Sequence, residues 1–282
     1  MTAPKLTSFA PPQGGAQGPS GGRAGPGASI RFDHRPDVDY LLRLGDTTLI
    51  LGQRLGEWTG HGPVLEEDIA LANMALDLIG QTRMLLTRAG ALEGQGFDED
   101  QLAFLREERD YRNLTMVELP RGDFAFTVLR NLFVSTWLKL HWERLRDSSD
   151  AELPGIAGKA IKEARYHQQH AADWVVRLAD GSDESRRRIG AALAELSRYV
   201  PEMFSADAVD AAAEATKLGP ARSALREAWD AEITPVLAEA GLSMPAESAF
   251  RSAGSQGVHT EHMGRILIEM QYLQRSYPGG VW

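Results

Sequence analysis

The sequence predicts an all-α fold, a core of four long helices with smaller helices packed outside it. Three observations carry this. Apolar residues recur at spacings of three and four through four long stretches, Gly and Pro punctuate the chain between them, and alternation of β-branched with polar residues is scarce.

Taken in order, residues 1–36 hold GGAQGPSGG and RAGPGAS, too rich in Gly, Pro and Ser to offset the entropy of ordering, and read as a disordered tail. Residues 37–282 then read as one helical domain. Asp37 or Asp39 caps a first helix in which Leu41, Leu44, Thr48, Leu51, Leu55 and Trp58 form one face. Gly45, Gly52 and Gly56 lie within it, which points to close helix packing or a kink. Gly60, Gly62 and Pro63 separate it from LEEDIALANMALDLIGQTRMLLTRAG, which has acids in its first turn and a basic residue and glycine at its end. Asp98 to Glu118 is shorter and more polar, and Pro120 and Gly122 break it. A third long helix follows from Asp123 to about Arg146, apolar nearly all round, so burial on several sides is expected. Surface left over beyond one bundle core, with Phe133 on its outward side, is expected to bind a second subunit.

The fourth long helix contains IKEARYHQQHAADW, with Ala160, Ala164, Ala171, Trp174 and Leu178 on one face, His167 in the same seam, and Glu163 and His170 flanking it. Carboxylates and imidazoles on an inward face are costly unless paired, metal-bound or functional. Further helices are expected over Ala206 to Lys217, Pro220 to Ala240 and His259 to Gln274, after an amphipathic segment carrying Ile189, Leu193, Leu196 and Tyr199.

Composition limits the function. The 282 residues carry a formal charge of -9, which disfavours nucleic acid or an anionic membrane as partner, and no cysteine, which excludes thiolate metal sites, disulfides and a cysteine nucleophile. With no signal-like h-region and no long apolar span, a cytoplasmic protein is expected. Any metal must sit on carboxylate and imidazole.

Acids and histidines inside a four-helix bundle suggest the di-iron carboxylate design, in which two helices give one Glu each and two give Glu-x-x-His. The ligand pattern is broken here. Glu163 is followed three residues on by Tyr166, Asp77 by Gly80, the third helix offers only Arg130 and Asn131 at its centre, and the first offers Asp46 or Glu57. Asp46, Asp77, Asn131, Glu163, His167 and His170 are therefore read as a polar network left without metal, with Glu163 and His167 expected to pair one turn apart. His259-Thr-Glu-His262 reads as a helix entry in preference to a metal site. The segment Glu108-Arg109-Asp110-Tyr111-Arg112-Asn113 combines a ring with two guanidinium groups, suited to stacking on a base and pairing with phosphate. The alternative for that segment is a solvated connection.

The runs LRLGDTTLILGQRLGEW, DIALANMALDLIGQTR, KAIKEARYH and HTEHMGRILIEMQYLQR closely resemble the C-subunit family of the bacterial ring-1,2-phenylacetyl-CoA epoxidases, from Asp39 to Trp282. The resemblance implies a ferritin-like fold and a non-catalytic subunit. It implies as partners a related catalytic A subunit that holds the di-iron centre, and the other epoxidase subunits including the reductase. It further implies that Asp77 with Gly80, and Glu163 with His167, are remnants of ligand pairs. CoA of the phenylacetyl-CoA substrate is implied near Asp110 to Asn113 and near Ala211, Ala212 and Ala213. The chain itself is then expected to bind no cofactor, and the apolar surface left over on the third helix and near the C-terminus is expected to make it self-associate when isolated. The rival readings are a self-sufficient di-metal oxygenase with an irregular ligand set and an acidic helical adaptor.

Overall fold

The computed structural model describes residues 28–278 and Gly280; most of the expected tail lies outside the described residues. Residues 28–35 run extended along the body. Ile30 is buried and its N–H donates to Leu105 O at 2.9 Å, so the helical body gathers residues that composition alone assigned to the tail.

The core is two helical hairpins. The first pairs α1 (Pro36–Gly56) with α2 (Leu65–Glu93), the second α5 (Phe124–Leu145) with α6 (Leu153–Asp180). Between them run the short α3 (Glu99–Phe104) and α4 (Thr115–Glu118). After α6 come α7 (Asp183–Leu196), α8 (Val200–Met203), α9 (Ala208–Ala215), α10 (Arg226–Glu239) and α11 (Glu261–Ser276). Of these, α9 lies on α1, α7 and α10 cover α5 and α6, and α11 rests on α3 and α4. No described helix is long and apolar enough to cross a membrane.

Local chemistry sets the ends. Pro36 and Pro154 occupy first-turn positions where no N–H is needed. Asp123 accepts from Phe126 N–H at 2.9 Å to start α5, and Thr260 accepts from His262 N–H at 3.3 Å to start α11, which makes the His259–His262 stretch a helix entry. Gly94 closes α2 at φ 86°, in the left-handed region that glycine enters without strain. Inside α1, a Cβ on Gly45 would lie 3.1 Å from Leu86 and one on Gly52 3.2 Å from Ile79, so these two glycines let α1 and α2 approach closely. Gly56 meets nothing and has no such role.

The apolar girth of α5 is consumed within the chain. Phe126, Leu129, Leu132, Phe133, Trp137 and Leu140 are all buried. The Trp229 ring of α10 packs edge-on against Phe133 at 5.2 Å and its Nε1 donates to Phe133 O at 3.0 Å, while Trp137 Nε1 donates to Met203 O at 2.9 Å. The expected subunit-binding face on α5 is therefore corrected. Peripheral helices cover it, because α7, α8 and α10 return over the bundle after α6.

His141 shows how dry this layer is. Burial, with a smaller contribution from the Arg222 charge, pushes its imidazole down to about 4 from an ordinary 6.5, against the contact to Trp137 O and the Asp210 charge, which act upward. Between those values the unfolded chain takes up a proton that the folded chain does not, so this group removes stability as pH falls from about 6.5 to about 4. The full loss is on the order of 3 kcal/mol. His141→Phe should flatten that part of the acid limb, measured as the difference between wild type and variant in urea unfolding at neutral pH and near pH 4.5. Equal slopes would contradict a neutral buried imidazole.

Candidate functional site

At the centre of the bundle, where metal ligands would converge, lies a cavity of about 10 Å³, at the lower limit of room for one water. Its walls are Leu51 and Leu55 of α1, Met74 and Leu78 of α2, Asn131, Ser135 and Leu138 of α5, and His167 of α6. Asn131 Oδ1 is buried without a partner, and Ser135 Oγ donates to Asn131 O at 2.5 Å. One imidazole, one amide and one hydroxyl among leucines do not fit a pair of iron ions, which need bridging carboxylates. Among the described residues no group of three or more His, Asp or Glu could hold a metal ion.

The remaining polar candidates of α2 and α6 stand at the rim of the bundle. His167 Nε2 lies 3.1 Å from Asp77 Oδ2, His170 Nε2 lies 2.7 Å from Glu67 Oε2, and Gln81 Nε2 donates to Glu163 Oε2 at 2.9 Å. Three separate pairs lace the seam, and the expected Glu163–His167 pair is not among them. The physical reason is helix phase. Glu163 sits one position round from Ala164, and it is Ala164, fully buried, that stands three residues before the inward His167. On α2, Met74 and Leu78 face the centre, whereas a Cβ on Gly80 would point into open space. Asp77 and Gly80 are thus displaced from the ligand positions their spacing suggested.

Asp46 belongs to a second polar layer, on the opposite side of α1. Its carboxylate is fully buried and paired through both oxygens with the fully buried Arg106 guanidinium, and Arg112 N–H donates to Oδ2 at 2.8 Å. One turn earlier Arg43 Nη1 donates to Asp207 at 2.9 Å and Asp210 at 3.0 Å, and Arg222 Nη2 also reaches Asp210 at 3.0 Å. Arg222 continues to Ser255 Oγ at 2.9 Å, Ser255 N–H to Glu202 at 2.9 Å, and Thr115 N–H to the other Glu202 oxygen at 3.1 Å. This chain of charges ties α9 and the segments before α10 and α11 to the first helix.

The 110–113 segment is part of that layer. Tyr111 is fully buried beneath the Arg106 guanidinium, 4.1 Å from its ring centroid, and its hydroxyl bonds Ala103 O and Gln271. Asn113 is buried and donates to Leu114 O, Asp110 accepts from Glu107 N–H at 3.2 Å, and Arg112 spends Nη1 on Arg109 O and Tyr111 O. The expected stacking of Tyr111 on a base is therefore corrected, because the ring is fully buried beneath the Arg106 guanidinium. On α9, Ala213 is buried, Ala212 half-buried and Ala211 exposed.

Glu118 and His259 close the layer beneath α11. Their charged ends are buried 3.4 Å apart, and Glu118 also accepts from Thr260 N–H at 3.2 Å. Burial raises the Glu118 carboxyl above its usual range despite the imidazole. For His259, burial acts downward, but the bond to Glu118 and its charge hold the imidazole above its ordinary value.

The sequence of residues 28–282 matches the family described as phenylacetic acid catabolic protein. The chain belongs to that family. It is 48% identical over 243 residues to the C subunit of the 1,2-phenylacetyl-CoA epoxidase of Escherichia coli (strain K12), an alignment that takes in 86% of this chain and 98% of that protein. The family match thus spans the bundle and the outer polar layer alike.

In this member of the phenylacetic acid catabolic family, sequence reasoning missed Arg43, Arg106, Glu118, Glu202, Asp210 and Arg222, all buried. One signal was present. Arg43 and Asp46 stand three apart within a run of leucines, where charges imply buried partners. Nothing local named those partners, which lie far along the chain.

Proposed function

We propose that this chain is a non-catalytic structural subunit of a 1,2-phenylacetyl-CoA epoxidase in the cytoplasm, acting beside a related catalytic subunit that carries the di-iron centre, with a reductase subunit supplying electrons. The observation that carries the reading is the bundle centre. In a chain 48% identical to the C subunit of such an enzyme, leucine and methionine side chains fill the positions where a di-iron carboxylate protein needs acids. Support for the partner comes through the rigid outer layer, which holds the 106–113 segment in place through Asp46. A CoA group meeting this chain would find the exposed Arg109, the half-buried Arg112 and, on α9, Ala211 and Ala212; Tyr111, Asn113 and Ala213 are interior.

Reconstitution of the purified chain with ferrous iron, followed by metal analysis, tests this. The expected result is far less than one iron per chain. Two tightly held irons per chain would overturn the structural-subunit reading and favour a self-sufficient oxygenase.

A further inference from the structure

The 109–115 segment and the turn that leads into α11 lie backbone against backbone. A Cβ on Gly254 would stand 2.6 Å from Asn113 O, and one on Gly257, at φ 81°, 2.3 Å from Arg109 O, so no side chain can separate them. Gly254 N–H donates to Thr115 Oγ1 at 3.0 Å, and Ala253 and Val258 bridge to close the turn. Beside this contact His259 is inserted between two acceptors. Its Nδ1 lies 3.4 Å from Glu118 Oε1 and its Nε2 lies 3.1 Å from Tyr111 O, and the Glu118 and His259 side chains are both fully buried. The other Glu118 oxygen accepts from Thr260 N–H at 3.2 Å, at the N-cap of α11.

A carbonyl and a carboxylate can only accept. A neutral imidazole has one N–H, so beside an ionised Glu118 it satisfies one of the two acceptors and turns a lone pair toward the other. One more proton, on the ring or on the carboxyl, completes both contacts. We propose that the Glu118–His259 pair is a proton-operated latch: with that proton it fixes the 109–115 segment beneath α11, and when rising pH removes it the segment and the start of α11 loosen together. Burial raises the Glu118 carboxyl, and for His259, where burial acts downward, the bond to Glu118 and its charge hold the imidazole above its ordinary 6.5. With both values raised on folding, the stability carried by the pair is complete below the unfolded values and is lost as pH rises through the folded ones. No neighbouring group replaces the proton. Asp46 of α1 favours the charged imidazole but is itself paired with Arg106, Arg54 of α1 reaches only the Glu118 carbonyl, and Arg112 Nη1 is spent on the Arg109 and Tyr111 carbonyls. Glu202 of α8 opposes ionisation of Glu118, and the phenols of Tyr111 and Tyr199, both raised chiefly by burial, stay neutral. The latch is built from this chain alone and does not rest on the role proposed within an epoxidase.

Amide hydrogen exchange of the full chain, divided by the intrinsic rates, reads the latch. From about pH 6 to about pH 9 the protection of residues 111–114 and 260–264 should fall about tenfold, while the amides of α5 keep theirs. Glu118→Gln offers an N–H toward Nδ1 in place of the proton and keeps an oxygen for Thr260, so it should hold the protection of the wild type at the lower pH and retain it at the higher. His259→Phe removes both contacts and should show the loosened segment at both pH values. The ring nitrogen shifts of His259, assigned by their loss in His259→Phe or, for a chain that does not fold, in His259→Gln, should titrate with a midpoint above 6.5. Constant protection in the wild type, a fall shared equally by α5, or a Glu118→Gln chain as sensitive to pH as the wild type would overturn the latch. So would an imidazole that titrates at or below 6.5.

Discussion

Asp46→Ala should lower the unfolding free energy by about 3–5 kcal/mol, the cost of leaving one member of a buried ion pair alone. Asp46 and Arg106 are both fully buried, and the guanidinium's other partners are the carbonyls of Leu102 and Asp110 and the rings of Tyr111 and Phe32, none of which carries a negative charge. Removing the carboxylate strands this cation and also the Arg112 N–H, whose bond to Asp46 orients the 110–113 segment. Replacing both partners, as Asp46→Leu with Arg106→Met, should cost clearly less than the sum of the single changes, since no isolated charge remains. Urea unfolding of the four proteins measures this. A single-mutant loss below about 1 kcal/mol would show that water reaches the pair.

Phe133→Ala should cost about 3–5 kcal/mol, as expected for emptying an aromatic site in a tight core. The ring is fully buried against Trp229, which in turn packs on Phe204 at 5.4 Å, so the cavity would open between α5, α10 and the end of α8. Collapse is hindered because Trp229 is anchored through its Nε1 to the α5 backbone. Phe133→Asp would place a carboxylate in that layer and should prevent folding outright. By contrast Leu76→Ala, at an exposed site, should stay within about 0.5 kcal/mol. Comparable losses at positions 133 and 76 would contradict the burial assigned to α5.

Much of the helical framework is legible in the residues alone. Periodicity places the long helices to within a few residues, and Asp123 and Thr260 act at the ends their chemistry suits, because capping is settled within four residues of chain, whereas Asp37 and Asp39 fall inside α1, whose N-cap is Arg35, and Gly90, read as the end of the second helix, is buried within α2. The close approach of α1 and α2 is legible from Gly45 and Gly52 for the same reason: a missing side chain is visible in the sequence itself. The candidate site is legible in part. The sequence shows that the di-iron ligand pattern is broken, and the bundle centre is indeed lined by apolar side chains around His167.

What only the tertiary structure decided is the rotation of each helix about its axis and the identity of what covers it. One residue is 100° of helix, so Glu163 and Ala164 exchange roles between rim and centre on a difference that periodicity reads poorly in a helix with polar groups on several sides. The partners of Asp46 and Arg43 come from segments 60 and 164 residues away along the chain, and the cover over Phe133 from 96 residues on. Such contacts leave no local pattern. The sequence by itself determined the class of fold and those helix ends that carry their own capping residue, since these depend on residue type and short spacing. Packing between distant segments decided which charges are buried together and that α5 is an interior helix, because burial depends on where the rest of the chain returns.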